Sequence, residues 1–106
     1  MKAILIDSEQ QEVRQVEYHN AADLLRLVGG PIELAHRWPN GDVLYVDEEG
    51  LLHSPRYFFA IPERTDQLLA GNGLIVGPET NGADTVPPSI SVQEVQQKVL
   101  FAVPFL

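Results

Sequence analysis

Apolar and polar positions alternate along much of this chain with a period of two, and in two places the period lengthens to that of a helix. Residues 1–6 form an apolar, β-favouring run, Asp7-Ser8-Glu9-Gln10-Gln11 is a polar turn, and residues 12–18 alternate with Val13, Val16 and Tyr18 as the apolar positions. These segments predict an N-terminal hairpin. The slip by one residue between Val13 and Val16 predicts a bulge or a bent edge strand. Asn20 is a good N-cap, Asp23 sits behind it, and Ala21, Leu24, Leu25 and Val28 fall at i, i+3, i+4 and i+7. That spacing predicts a short helix, ended by Gly29-Gly30 and Pro31. Residues 32–38 then read as a strand with Ile32, Leu34, His36 and Trp38 on one face, closed by the turn signal Pro39-Asn40-Gly41.

Residues 41–52, GDVLYVDEEGLL, carry the densest pattern. Val43, Tyr45 and Asp47 point one way, and Leu44 and Val46 the other. Asp47-Glu48-Glu49-Gly50 reads as a tight acidic turn with Gly50 at positive φ, and Leu51-Leu52 as the start of the next strand. Successive turns at Asn40-Gly41 and Glu49-Gly50 make this an antiparallel meander, which other elements must cover on one face.

Beyond it, His53-Ser54-Pro55-Arg56 is a loop, residues 57–61 an aromatic strand stopped by Pro62, and residues 63–67 a polar loop or single helical turn. Residues 68–70 lead into Gly71-Asn72-Gly73, read as hairpin turns. Residues 74–77 are a short buried strand, and residues 78–88 an exposed, mobile loop. Ser91 and Glu94 have capping-box spacing, and Val92, Val95 and Val99 give a second helix its core stripe. The expected fold is α+β, a mainly antiparallel sheet of about six short strands with two short helices, in one domain over residues 1–106.

Composition narrows function more than fold. Among 106 residues there is no cysteine, which excludes disulfides, thiolate metal sites and cysteine nucleophiles and is compatible with the cytosol. No run approaches the roughly 20 apolar residues of a membrane helix, and the start of the chain lacks a secretory apolar region. The net charge of −8 disfavours direct nucleic-acid binding, and two lysines make no polybasic membrane patch. Solubility is the ordinary reading of that charge.

Candidate chemistry is sparse. Asp42, Asp47, Glu48 and Glu49 are the only carboxylate cluster, but no closing carboxylate follows Gly50 at calcium-loop spacing, so a solvated turn is expected. His19, His36 and His53 lack ligand spacing, and no metal or cofactor is expected. Serines 8, 54, 89 and 91 lie in no GxSxG elbow. Gly71-Asn72-Gly73 with Gly77 precedes a strand rather than opening a helix, unlike a phosphate loop. One binding pattern remains: Arg37-Trp38 and Arg56-Tyr57 set guanidinium groups beside rings, suited to a small anionic, base-bearing ligand. Its ordinary alternative is aromatic core with arginine cover.

With GDVLYVDEEGLL, YFFAIP, LAGNGLIVG and SISVQEVQQKVLF on view, the chain resembles a family of short uncharacterised proteins encoded by phages, plasmids and bacterial mobile regions. This family is a domain of unknown function with a GDxxYVDxEGLL core. The resemblance covers most of the chain, although Ser91 stands where the family often has threonine. It implies a genomic context and no reaction. Together these readings lead to the expectation of a non-enzymatic accessory protein of a phage or mobile element, acting by binding a host protein or a small, nucleotide-like ligand, a candidate defence antagonist. The rivals are a small enzyme whose site is assembled between subunits from His36, Asp47 or Glu49, and a nucleic-acid mimic. The apolar tail, with Phe101, Val103, Phe105 and Leu106, must be covered, and a homodimer through it stands beside burial in its own sheet.

Overall fold

The computed structural model describes residues 1–53, 57–62, 68–79 and 85–102. In chain order the elements are β1 (Lys2–Asp7), β2 (Glu12–Glu17), α1 (Ala21–Val28), β3 (Ile32–Arg37), β4 (Val43–Asp47), a 3₁₀ turn (Gly50–His53), β5 (Phe58–Ala60), β6 (Leu69–Ala70), β7 (Gly73–Val76), α2 (Val92–Lys98) and β8 (Leu100–Ala102). They form two antiparallel sheets, a large one in the order β2-β1-β7-β4-β3 and a small one in the order β6-β5-β8. The α+β, antiparallel expectation therefore holds, with eight strands among the described residues where about six were expected.

β7 is the centre of the large sheet. All four of its residues are buried, as a continuous apolar run covered on both faces should be. Ile75 joins Ile4, Ile6, Leu44 and Val46 on one face, where Phe59, Trp38 and Val95 pack. Leu74 and Val76 join Ala3, Leu5 and Val43 on the other, under Val28 of α1 with Leu24 and Leu27 packed beside it. Both faces are covered, not one. In register, Gly73 lies between Ile6 of β1 and Val46 of β4. A Cβ there would sit 2.5 Å from the Phe59 ring, so the missing side chain is the hole that Phe59 fills. Burying such a ring contributes about 1.5–3 kcal/mol.

Local signals gave several elements correctly. The Asn20 side chain caps α1 and Gly29 ends it in the left-handed region, at φ 104°. Ser91 and Glu94 form the complete capping box of α2. The Asn40-Gly41 turn joins β3 to β4, with Gly41 at φ 96°.

Other expectations are corrected by packing. Leu51 and Leu52 do not begin a strand. Gly50 is buried against Ala70 and starts a 3₁₀ turn, and it is not among the described glycines with positive φ, which are Gly29, Gly41 and Gly71. Pairing of β1 with β2 is unbroken from Lys2–Glu17 to Asp7–Glu12; the slip in β2 instead sends Val13 to one core and Val16 with Tyr18 to the other. The irregularity lies in β3, between Leu34 and His36. It leaves Ile32 on the α1 face and Trp38 on the Phe59 face, so the four residues expected on one face divide. Leu25, expected in the helix stripe, is exposed, and Leu27 packs in its place. Gly71-Asn72 makes no hairpin, because β6 and β7 belong to different sheets.

Between β7 and α2, residues 80–84, on which the mobile-loop reading partly falls, lie outside the described residues. The ends of that segment are tied by a Glu79–Thr85 bridge and by the Val86 N–H to the Pro78 carbonyl, 3.0 Å. Residues 85–90 form a strap that crosses Gly77 and reaches the fully buried Asp42. Asp42, expected in the solvated acidic cluster, is instead the strap's anchor: its carboxylate accepts the Ser89 N–H at 3.0 Å and the Ile90 N–H at 3.2 Å. Phe101 packs within its own chain, on the Phe59 side of the core, whereas Val103, Phe105 and Leu106 lie outside the described residues. Among the described residues no helix is long and apolar enough to cross a membrane.

Candidate functional site

Alternation along β3 and β4 decides which side chains can share a site. Arg37 pairs with Val43, and Tyr45 is two residues further along the same face. Paired and diagonal neighbours on one face lie within reach of long side chains. That face, beyond the start of α1, holds a cleft of about 660 Å³. Val43, Tyr45 and Val76 form its floor, Leu24, Ala21 and Asn20 one wall, and Tyr18, Thr85 and Glu79 the other, with Arg37 on the sheet edge. Tyr18 is buried and its hydroxyl hydrogen-bonds the Thr85 hydroxyl, which fixes the far wall.

Among the charged side chains of α1 and β3 near the cleft, some are paired and one is not. Asp23, in the first turn of α1, accepts the His19 backbone N–H at 2.8 Å and pairs with Arg26 at 2.8 Å. The His19 hydrogen bond, more than any other contact, holds the Asp23 carboxyl below the ordinary aspartate range; Arg26 acts in the same direction and desolvation opposes both. Arg37 is exposed and makes no ion pair or hydrogen bond among the described residues. A cleft with an apolar, tyrosine-bearing floor and an uncommitted guanidinium can seat a ring and hold an anion at its edge.

Of the described residues singled out from the sequence, Arg37 lines this cleft and Trp38 and Tyr57 do not. Trp38 follows it on the strand and therefore points to the opposite face, where it is 5% exposed and stacks edge-on against half-buried His36, ring centroids 4.8 Å apart. Tyr57 is half-buried before β5 and its carbonyl accepts the Gly71 N–H at 2.9 Å. Arg56 lies outside the described residues. His36, Asp47 and Glu49 do not converge within one chain: His36 pairs with Leu44 on the Phe59 face, Asp47 ends β4 opposite Ile32, and Glu49 is exposed on the turn beyond. No group of three or more potential metal ligands occurs among the described residues.

Tyr45, Tyr18 and Thr85 were not singled out from the sequence. Tyr45 had a signal, its shared face with Val43. Tyr18 and Thr85 meet only through the fold.

Compared with known proteins, residues 1–100 match a family model described as Domain of unknown function (DUF3846). No curated protein and no solved structure matches the chain.

Proposed function

The chain belongs to the family Domain of unknown function (DUF3846), and from that premise we propose that it is a non-enzymatic binding domain whose cleft takes a small anionic, ring-bearing ligand of nucleotide type. The observation that carries this reading is Arg37: a guanidinium without a described partner, at the edge of a tyrosine-floored cleft, in a chain whose net charge is −8. In so acidic a protein an unneutralised arginine beside a cleft favours an anion. The Arg37 fork holds a phosphate or carboxylate, and Tyr45 offers a ring face to a base. The resemblance of the central motif to phage, plasmid and mobile-region proteins supports an accessory role there, with the domain antagonising a defence system by sequestering a nucleotide signal.

Calorimetry against a panel of mono- and cyclic nucleotides tests this. At least one should bind, and Arg37→Ala should weaken it by about tenfold or more, since a charge-assisted hydrogen bond is worth about 1.5–3 kcal/mol. The variant should keep its urea midpoint, because Arg37 is exposed. Absence of heat across the panel, or equal affinity in Arg37→Ala, overturns the reading.

A further inference from the structure

We propose that the turn after β4 is a docking knob, with Leu51 and Leu52 inserting into an apolar pocket of a partner protein whose rim carries lysine or arginine. The two leucines are 74% and 78% exposed, the most exposed large apolar side chains among the described residues. Neighbouring exposed leucines of this kind mark an interaction surface more often than a scattered single one does.

The backbone beneath them is fixed. The Glu48 N–H donates to the Pro31 carbonyl at 2.7 Å, and the Leu52 N–H to the Glu49 carbonyl at 2.9 Å. The Glu49 N–H donates to Asp47 Oδ1 at 2.9 Å, and Gly50 is buried against Ala70. The leucines are thus held outward on a turn that has little backbone freedom left to lose on binding. Leu68, also exposed, lies two residues before Ala70 and so at the same end of the molecule.

Charge selects the occupant. Glu48 and Glu49 flank the leucines, are exposed, and make no ion pair with a described residue. No lysine or arginine occurs between Arg37 and Arg56. A second copy would set acidic rim against acidic rim, and an anionic leaflet would repel the same carboxylates. A basic-rimmed partner complements them and is steered in by them. Three leucines are too small a patch for a stable homodimer interface, which buries upwards of roughly 1,200 Å² in total; they suit a transient complex.

The test is a random-peptide display selection on the full chain, counter-selected against Leu51→Ser/Leu52→Ser. The enriched peptides should combine apolar residues with flanking lysine or arginine. Resynthesised, they should bind Leu51→Ser or Leu52→Ser about tenfold more weakly or worse. They should also weaken with Glu48→Lys/Glu49→Lys and with added salt, and bind Arg37→Ala as they bind wild type. The charge-reversed variant keeps the test decisive if a serine variant fails to fold. Several results overturn the proposal: no peptide that distinguishes wild type from the variants, enriched peptides without basic residues, leucine-dependent self-association by sedimentation, or leucine-dependent binding to anionic phosphatidylserine vesicles.

Discussion

Replacing Asp42 by alanine should unhinge the strap that carries the chain from β7 to α2. The carboxylate is fully buried and accepts the Ser89 N–H at both oxygens, 3.1 and 3.0 Å, and the Ile90 N–H at 3.2 Å. Asn40 Nδ2 adds a longer contact at 3.3 Å. A hydrogen bond to a charged acceptor contributes about 1.5–3 kcal/mol, and each donor orphaned by truncation keeps its desolvation cost while it stays buried. Ser89 is exposed, so its N–H can find water once the strap lifts, which puts the expected loss near the lower end for two bonds, about 3 kcal/mol. Asp42→Asn should cost less, about 1–2 kcal/mol, since one amide oxygen still accepts while the new NH₂ faces a donor. Trp38 is the only tryptophan, buried in the same cluster that Ile90 and Val92 pack against, so its fluorescence reports strap and α2 docking. Urea melts followed by that signal should show a lower midpoint with an unchanged slope. Glu48→Gln, on the exposed turn, should stay within about 0.5 kcal/mol of wild type. If Asp42→Ala falls in that same narrow range, the anchoring role of Asp42 is wrong.

Two further outcomes follow from the same geometry. In Gly77→Ala the new Cβ would overlap the Val86 carbonyl oxygen and lie 2.8 Å from that of Pro87, so the strap must move, at a cost of about 1–3 kcal/mol. Because it strains the segment that Asp42 holds, its effect should be non-additive with Asp42→Ala in a double-mutant cycle; strict additivity would separate the two contacts. The Asp23 carboxyl should titrate below the ordinary aspartate value, so its contribution to stability is present above the unfolded-state pKa and is lost as pH falls through the lowered folded value. A carbon-detected NMR titration with a midpoint at or above that of a model aspartate contradicts this.

The sequence was most informative where structure is local. Asn20, Asn40-Gly41 and Ser91 with Glu94 each act within three residues, and each cap or turn is where its chemistry placed it. Leu51-Leu52 misled because alternation registers apolarity and says nothing of what lies across the gap; the seat of Gly50 is Ala70, twenty residues on. The small sheet was equally hidden, since β5 finds β8 only after the large sheet and α2 have been threaded. At the site, Arg37 beside Trp38 looked like a pair, yet adjacent strand residues face opposite ways. The cleft draws on the segment between β2 and α1, on α1, β3, β4, β7 and the strap, and no single stretch carries its outline.

The position of β7 also sets an order of events. Residues 1–47 hold two hairpins that can each close locally, but the strand that joins them is synthesised last of the five, with Ala3 and Val43 both pairing to Val76. Until it arrives, β1 and β4 each present an unsatisfied inner edge, the kind of edge on which foreign strands pair. At roughly 5–20 residues per second the nascent chain carries those edges for seconds. Pairing across so long a separation is slow for any chain, so the insertion of GLIV should be the step that commits the protein. Pulsed amide exchange would register it as protection appearing in one phase at Ile4, Tyr45 and Leu74, whose N–H groups face across the β1–β7 and β7–β4 seams, after Leu5 and Leu44, whose N–H groups face their hairpin partners, are already protected.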